Sequence, residues 1–300
     1  MTAKVSVIGL GSMGLGMAQS LLRKGLAVSG ADLNPDAVKK LEAAGGHGFA
    51  SAREAARDAD ILVTVVVNAA QTETVLFGEE GAAQAVRKGG VIISSATMSP
   101  DDARRLARQA EALGLHYLDA PISGGAAKAA AGQLTVMASG TPEAFAAARP
   151  ALDAMAATVY ELGDQAGIGA AFKMVNQLLA GVHIAAACEA VSFAAKLGLD
   201  LPAVYKVITA SAGNSWMFEN RVPHILEGDY SPRSAIDIFT KDLGIVSDMA
   251  RQEKFPLPVA ATALQMFLMT AAAGMGRDDD ASVARMIAKI TGIELPSPKA

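Results

Sequence analysis

Cysteine is almost absent: Cys188 is the only one among 300 residues. An internal disulfide is therefore excluded, which suits a reducing cytoplasm. Aromatic residues are scarce too, at 5% with a single tryptophan, so the core has to be built from aliphatic and small side chains. Basic charge is in no surplus. Lys and Arg number 26 against 30 Asp and Glu, for a formal charge of −4. That balance offers no electrostatic footprint for nucleic acid or an anionic membrane. The histidines His47, His116, His183 and His224 contain no i, i+4 pair and have no cysteine cluster beside them, so no metal site is expected. Asp278-Asp279-Asp280 lacks the other ligand positions and the glycine of a calcium loop. It reads as an acid cluster at a helix N-terminus. Nor is an export signal expected, because the chain runs directly into the strand pattern Val5-Ser6-Val7-Ile8. One stretch, residues 255–276, carries no charge and matches a bilayer span in length. Pro256 and Pro258 open it, and Thr262, Gln265 and Thr270 interrupt it. It is read as a buried helix in a helical domain, and the protein is expected in the cytoplasm.

What is present is a large apolar fraction, 51%, which excludes disorder as the main state. The length allows two ordinary domains. Residues 5–9, 27–32, 61–67, 91–95, 117–119, 134–138 and 158–161 read as strands, with helical patterns between most of them, such as 14–23, 35–44 and 101–113. This βα alternation predicts a mainly parallel sheet covered on both faces. From residue 166 onward the pattern is helical, beginning with one long helix over 166–197. The expected organisation is an α/β Rossmann-type doubly wound domain over residues 1–163. An all-α domain over 164–300 follows, serving substrate binding and oligomerisation. Its apolar helices predict a homodimer or homotetramer.

Gly9-Leu10-Gly11-Ser12-Met13-Gly14 fits G-x-G-x-x-G. The hexapeptide alone is weak, but it follows an apolar strand and opens a helix, as a dinucleotide fingerprint requires. Gly9 permits the tight turn, Gly11 lets a pyrophosphate approach, and Gly14 allows close packing. Helix N–H groups and the helix dipole then face the phosphates. Asp32, at the end of the second strand, can accept hydrogen bonds from both ribose hydroxyls and repels a 2′-phosphate. Leu33 and Asn34 follow it, so no arginine is in place for such a phosphate. The expected cofactor is NAD.

Two further stretches stay open on their own. Asp119-Ala120-Pro121-Ile122-Ser123-Gly124-Gly125 is either an ordinary turn or a loop whose hydroxyl and N–H groups hold a small carboxylate. Lys173, Asn176 and Gln177 share one face of the long helix. Lys173 is either a surface lysine or, if desolvated, a candidate acid/base.

Four stretches together resemble the β-hydroxyacid dehydrogenases, the group related to 3-hydroxyisobutyrate dehydrogenase. They are residues 9–17, the loop 119–125, Gly169-x-x-x-Lys173, and Lys241-Asp242-Leu243. The resemblance spans nearly the whole chain in the right order. It implies that Lys173 is the catalytic acid/base and that Ser123, Gly124 and Gly125 bind the substrate carboxylate. It also implies that Thr97 and Lys241 contact the cofactor near its nicotinamide, that Val66, Val67 and Asn68 form a cofactor-contacting turn, and that Phe239 lies beside the nicotinamide. The family asparagine four residues after the lysine is Gln177 here, preceded by Asn176, so either amide can take that role. The usual Met-Leu-Pro after the third strand is replaced by Val65-Val66-Val67.

Finer likeness, in residues 173–183 and 213–221, resembles the L-threonate dehydrogenase branch. It makes Asn214, Ser215 and Trp216 candidates for substrate selection. A helix N-cap with a core tryptophan is the alternative. The implied reaction is NAD-dependent oxidation of a small hydroxy acid, L-threonate to 2-oxo-tetronate. Tartronate semialdehyde reduction and 3-hydroxyisobutyrate oxidation are the alternatives within the class. Imine reductases look similar but generally lack the lysine. A catalytically silent dinucleotide-binding module is the non-enzyme alternative.

Overall fold

In the computed structural model, which describes residues 3–298, the first apolar runs form one parallel sheet. β1 (Lys4–Ile8), β2 (Ala27–Ala31), β3 (His47–Phe49), β4 (Ile61–Thr64), β5 (Val91–Ser94) and β6 (His116–Asp119) stand in the order β3-β2-β1-β4-β5-β6. Every neighbouring pair is parallel. Side chains alternate between faces. Val5, Val7, Ile61, Val63, Val91 and Ile93 join one core cluster, while Ile8, Leu62 and Ile92 join another. Burial on both faces is why these strands read as unbroken apolar runs. β3 escaped the sequence reading because its three residues, with Gly48 in the middle, leave too little pattern to see.

The helices of this half start where their caps dictate. α1 (Gly14–Arg23) begins at the glycine turn. α2 (Pro35–Ala43), α3 (Ala52–Ala55), α4 (Ala69–Phe77), α5 (Pro100–Ala112) and α7 (Pro142–Met155) are capped by Asn34, Ser51, Asn68, Ser99 and Thr141 in turn. Each cap accepts a leading backbone N–H and is worth about 1 kcal/mol. α6 (Gly125–Ala131) has no side-chain cap.

The later strands do not extend the first sheet, as the sequence reading expected. β7 (Ile122–Ser123), β8 (Leu134–Ala138) and β9 (Ala156–Glu161) form a separate three-stranded sheet, antiparallel between β7 and β8 and parallel between β8 and β9. The departure starts at Asp119, whose backbone bridges to Ser139 after closing β6. The chain then turns directly into β7.

Contacts divide the chain into two units, one ending at Lys173 and the next beginning at Met174. The division falls within α8 (Ile168–Lys196). The second unit continues with α9 (Leu201–Thr209), α10 (Trp216–Glu227), α11 (Ile236–Gln252), α12 (Pro258–Thr270), a π turn over Ala271–Met275, a 3-10 turn over Asp280–Ser282, and α13 (Val283–Thr291). Ile184, Cys188, Val191, Phe218, Val222, Leu243 and Phe267 lie at the centre of its core. Ile168–Lys196 and Pro258–Met275 are both long and apolar enough to cross a membrane. The expectation of a buried helix over 255–276 holds for one face only. Ala260, Ala263, Phe267 and Thr270 are buried, whereas Val259, Leu268 and Met269 are exposed. Apolar residues run all round this helix, so one core cannot cover them.

The acid run also does more than was expected. Asp279 does cap a helical turn, accepting from the Ala281 N–H at 3.1 Å. However, Asp279 and Asp280 are fully buried. Asp280 accepts from Arg221 Nε at 2.5 Å and Nη2 at 3.0 Å. Burial works against the charge on Arg221, but Asp280 outweighs it and raises the guanidinium above the usual arginine range. His224 places Nδ1 2.8 Å from Asp279 Oδ1 and Nε2 2.6 Å from Arg233 Nη1. A guanidinium can only donate, so Nε2 accepts from Arg233 and Nδ1 donates to Asp279. Burial would raise Asp279, but His224 together with the Ala281 and Arg233 N–H groups outweighs it and holds the carboxyl below its ordinary range.

Candidate active site

The turn after β1 is closed by contacts that only glycine allows. Gly9 has φ +92° and its Cβ position falls on the Val65 carbonyl, while that of Gly14 falls on the Gly9 carbonyl. A side chain at either would force the turn open. The Cβ direction of Gly11 is clear, with nothing within 4 Å. Met13 stands at the N-cap of α1 without a side-chain hydrogen bond, so no side chain occupies the leading N–H groups. Asp32 clamps the turn from the end of β2: Leu10 N–H donates to its Oδ2 at 2.6 Å and Asn34 N–H to its Oδ1 at 2.7 Å. An open glycine face, a helix start and a carboxylate about twenty residues on suit a dinucleotide, with pyrophosphate over Gly11 and ribose at Asp32. Ser12 is exposed and free of bulk.

β4 ends at Thr64, and Val66, Val67 and Asn68 form the turn beyond it. Asn68 Oδ1 accepts from Gln71 N–H at 2.8 Å, and Val67 N–H donates back to Gln71 Oε1 at 3.0 Å. The reciprocal pair locks the turn without proline. Thr97 is half-buried in the loop after β5.

Lys173 is not a surface lysine. It is 7% exposed, and its Nζ donates to the Ile122 carbonyl at 2.8 Å. Ile122 pairs with Val136 of β8, so its carbonyl is held by the small sheet. Ser123 follows at the end of β7, and Gly124 and Gly125 both have positive φ. The Gly169-x-x-x-Lys173 spacing has a packing cause. A Cβ on Gly169 would meet the Met137 and Asp119 carbonyl oxygens, so only glycine lets α8 start this close to β6 and β8. Gly167 and Ala170 N–H groups donate to Asp119 Oδ2 at 2.9 and 2.8 Å, and Gly169 N–H to Ser139 Oγ at 2.9 Å. One turn later the same helix delivers Lys173. Burial pushes the Asp119 carboxyl up to about 6, against the pull of these N–H groups.

In the second unit, Gln177 and Lys241 meet on one carboxylate. Gln177 Nε2 donates to Asp242 Oδ2 at 2.5 Å, Lys241 Nζ lies 2.5 Å from Asp242 Oδ1, and Asn176 Nδ2 donates to Gln177 Oε1 at 2.9 Å. Gln177 is therefore the buried amide and Asn176 its half-buried neighbour. Sequence reasoning quoted Asp242 within a motif but gave it no role. Its signal was only a carboxylate in a helix that is otherwise apolar on its inner face. Phe239 is buried and stacked on Phe267, with centroids 5.2 Å apart. Asn214 donates to Thr209 O and Glu219 Oε1, and its buried Oδ1 has no hydrogen-bond partner. Ser215 caps α10 by accepting from Phe218 N–H at 3.0 Å. The core reading of Trp216 is overturned, since half of its surface is exposed.

Thus Gly9, Gly11, Gly14, Asp32, Asn68, Thr97, Ser123 and Lys173 belong to the first unit, and Asn176, Gln177, Asn214, Trp216, Phe239 and Lys241 to the second. Among the described residues no three His, Cys, Asp or Glu side chains could hold a metal ion.

Comparison with known proteins agrees in both halves. Residues 4–163 match the family model described as the NAD binding domain of 6-phosphogluconate dehydrogenase. Residues 167–287 match that described as "NAD-binding of NADP-dependent 3-hydroxyisobutyrate dehydrogenase". An L-threonate dehydrogenase from Cupriavidus necator is 54% identical over 99% of both chains. Another from Haemophilus influenzae is 50% identical over 97% of this chain and 96% of its own. The crystal structure of a 3-hydroxyisobutyrate dehydrogenase from Salmonella typhimurium superposes with a TM-score of 0.91. It is 52% identical, covering 95% of this chain and 99% of that one. The chain belongs to the NAD-dependent hydroxyacid dehydrogenases related to 3-hydroxyisobutyrate dehydrogenase.

Proposed function

We propose that this dehydrogenase oxidises L-threonate to 2-oxo-tetronate, with NAD preferred over NADP and Lys173 as general acid/base. The observation that carries this reading is the buried Lys173 Nζ, fixed 2.8 Å from the carbonyl that immediately precedes Ser123. When bound, the nicotinamide supplies the hydride acceptor. The chain's own residues do the rest. Gly9, Leu10, Gly11, Ser12, Met13 and Gly14 hold the pyrophosphate, and Asp32 holds the adenine ribose. Asp32 keeps lone pairs for ribose hydroxyls beyond those taken by Leu10 and Asn34, and it repels a 2′-phosphate. Ser123, Gly124 and Gly125 hold the substrate carboxylate. As the C–H bond gives up its hydride, neutral Lys173 takes the proton of the reacting hydroxyl while one of its N–H bonds stays on Ile122. In reduction it returns that proton to the carbonyl oxygen. Gln177, kept in place by Asp242, orients the reacting group. Asn214 and Trp216 select the hydroxylated tail, and the free Oδ1 of Asn214 suits a hydroxyl donor.

The names of the two dehydrogenases at 54% and 50% identity support the choice of L-threonate. Rates with L-threonate, D-threonate, D-erythronate, D-glycerate and 3-hydroxyisobutyrate, each with NAD and NADP, test it. L-threonate with NAD should lead. A lead for D-glycerate or 3-hydroxyisobutyrate overturns the substrate. Lys173→Ala should lower kcat by ~10²–10⁴, and near-normal turnover overturns the acid/base role. The exposed Val259, Leu268 and Met269 support a homodimer or homotetramer, and the relatedness to bacterial dehydrogenases supports a cytoplasmic location. A monomer by light scattering at micromolar concentration overturns that assembly.

A further inference from the structure

We propose that Asp119 is a positioning residue for hydride transfer, tying the carboxylate-binding loop to the helix that presents Lys173. The inference rests on the acid/base reading of Lys173.

Asp119 lies where two parts of the site start. Its main chain pairs with Ser139 in both directions, N–H to O at 3.0 Å and O from N–H at 2.8 Å. Those bonds fix the start of the segment that runs through Pro121 and Ile122 to Ser123. Its side chain takes two leading N–H groups of α8, from Gly167 and Ala170. Ser139 Oγ takes a third, from Gly169. The usual helix cap comes from the residue just before the helix. Here the caps come from strands 30 to 51 residues away in sequence, so they set where the helix starts as well as satisfying it. The circuit closes at Lys173, whose Nζ returns to the Ile122 carbonyl. From Asp119 through α8 to Lys173 and back through Ile122, each step is a short hydrogen bond or a continuous backbone.

A buried carboxylate is a costly way to end a helix, because ionised groups lose hydration on burial. A neutral cap would satisfy the same N–H groups more cheaply. What a local neutral cap would not do is fix Lys173 relative to Ser123. That relation sets the distance between the proton acceptor and the reacting hydroxyl. Misplacement by about 1 Å can cost ~10²-fold in rate.

The test is a double-mutant cycle with Asp119→Ala and Lys173→Ala, using the acid that the wild-type protein turns over fastest. NADH affinity is read in parallel by fluorescence. Asp119→Ala should lower kcat by ~10- to 100-fold and leave the NADH dissociation constant within about twofold, since the glycine turn is untouched. Asp119→Asn keeps an acceptor oxygen for both N–H groups and should recover most of that loss. In the Lys173→Ala background, Asp119→Ala should add nothing. Equal losses in both backgrounds, or an unchanged kcat in the single variant, overturn the inference and leave the Lys173 reading standing. Full turnover by Lys173→Ala overturns that reading and this one with it. Should Asp119→Ala fail to fold, Ser139→Ala removes the Gly169 bond and the hydroxyl beside the Asp119 carboxyl while leaving that carboxyl in place. It should lower kcat several-fold with the same non-additivity, and additivity there overturns the inference.

Discussion

Asp32, Asp119 and Lys173 of the first unit each bind main-chain atoms: the Leu10 N–H, the Gly167 and Ala170 N–H groups, and the Ile122 carbonyl. Gln177, Lys241, Arg221 and His224 of the second unit end on the carboxylates of Asp242, Asp280 and Asp279. The difference has consequences. A backbone partner belongs to the fold itself and survives almost any change of side chain, proline apart. A carboxylate partner can be removed by substitution, and when it is lost a buried charge or amide stays behind. Exposed pairs such as Lys39–Asp36 belong to neither scheme, and contribute no more than about 0.5 kcal/mol each.

The sharpest way to break this comparison is Asp280→Ala. Arg221 then keeps its charge in a buried position without the carboxylate that it hydrogen-bonds, a change that costs about 3–5 kcal/mol. At ~2–4 °C per kcal/mol, the melting transition of the helical unit should fall by roughly 10 °C. Calorimetry reads this directly, and a fall of under 2 °C would mean that the Arg221 pair contributes no more than a surface one.

The same contrast explains what could be read from the sequence. Main-chain anchoring demands glycine, and glycine leaves a local signature: Gly9 and Gly14 at the first turn, Gly169 four residues before Lys173. The doubly wound sheet was legible for a similar reason, because strands buried on both faces carry unbroken apolar runs. Side-chain anchoring leaves no such mark. Arg221 and Asp280 are 59 residues apart, His224 and Asp279 are 55, and Gln177 and Asp242 are 65. Hence Asp278-Asp279-Asp280 read only as an acid cluster at a helix N-terminus, and Asp242 was given no role beside Lys241. The separate small sheet was missed because β7 is only two residues long and pairs through the very loop read as a turn.

Asp119 belongs to both schemes, a carboxylate that serves main-chain donors, and pH separates its two aspects. Burial lifts its carboxyl from 3.8 in the unfolded chain to about 6 in the folded one. Arg104 and the Ser139 hydroxyl act in the opposite sense, and neighbouring Tyr117 is itself raised, first by burial and then by Asp119. Between those two values the folded state binds more proton than the unfolded state, so this residue makes stability fall as pH rises. Two pH units correspond to on the order of 3 kcal/mol, lost between about pH 4 and pH 7. Asp119→Asn cannot titrate. All other groups cancel in the comparison, so its melting temperature relative to wild type should climb by several degrees from pH 4 to pH 7. A difference that stays flat across that range would mean the carboxyl is not raised by burial. A climb in relative stability with most of kcat retained would show that the acceptor oxygen at this position, rather than its charge, is what holds the Gly167 and Ala170 N–H groups and so places Lys173.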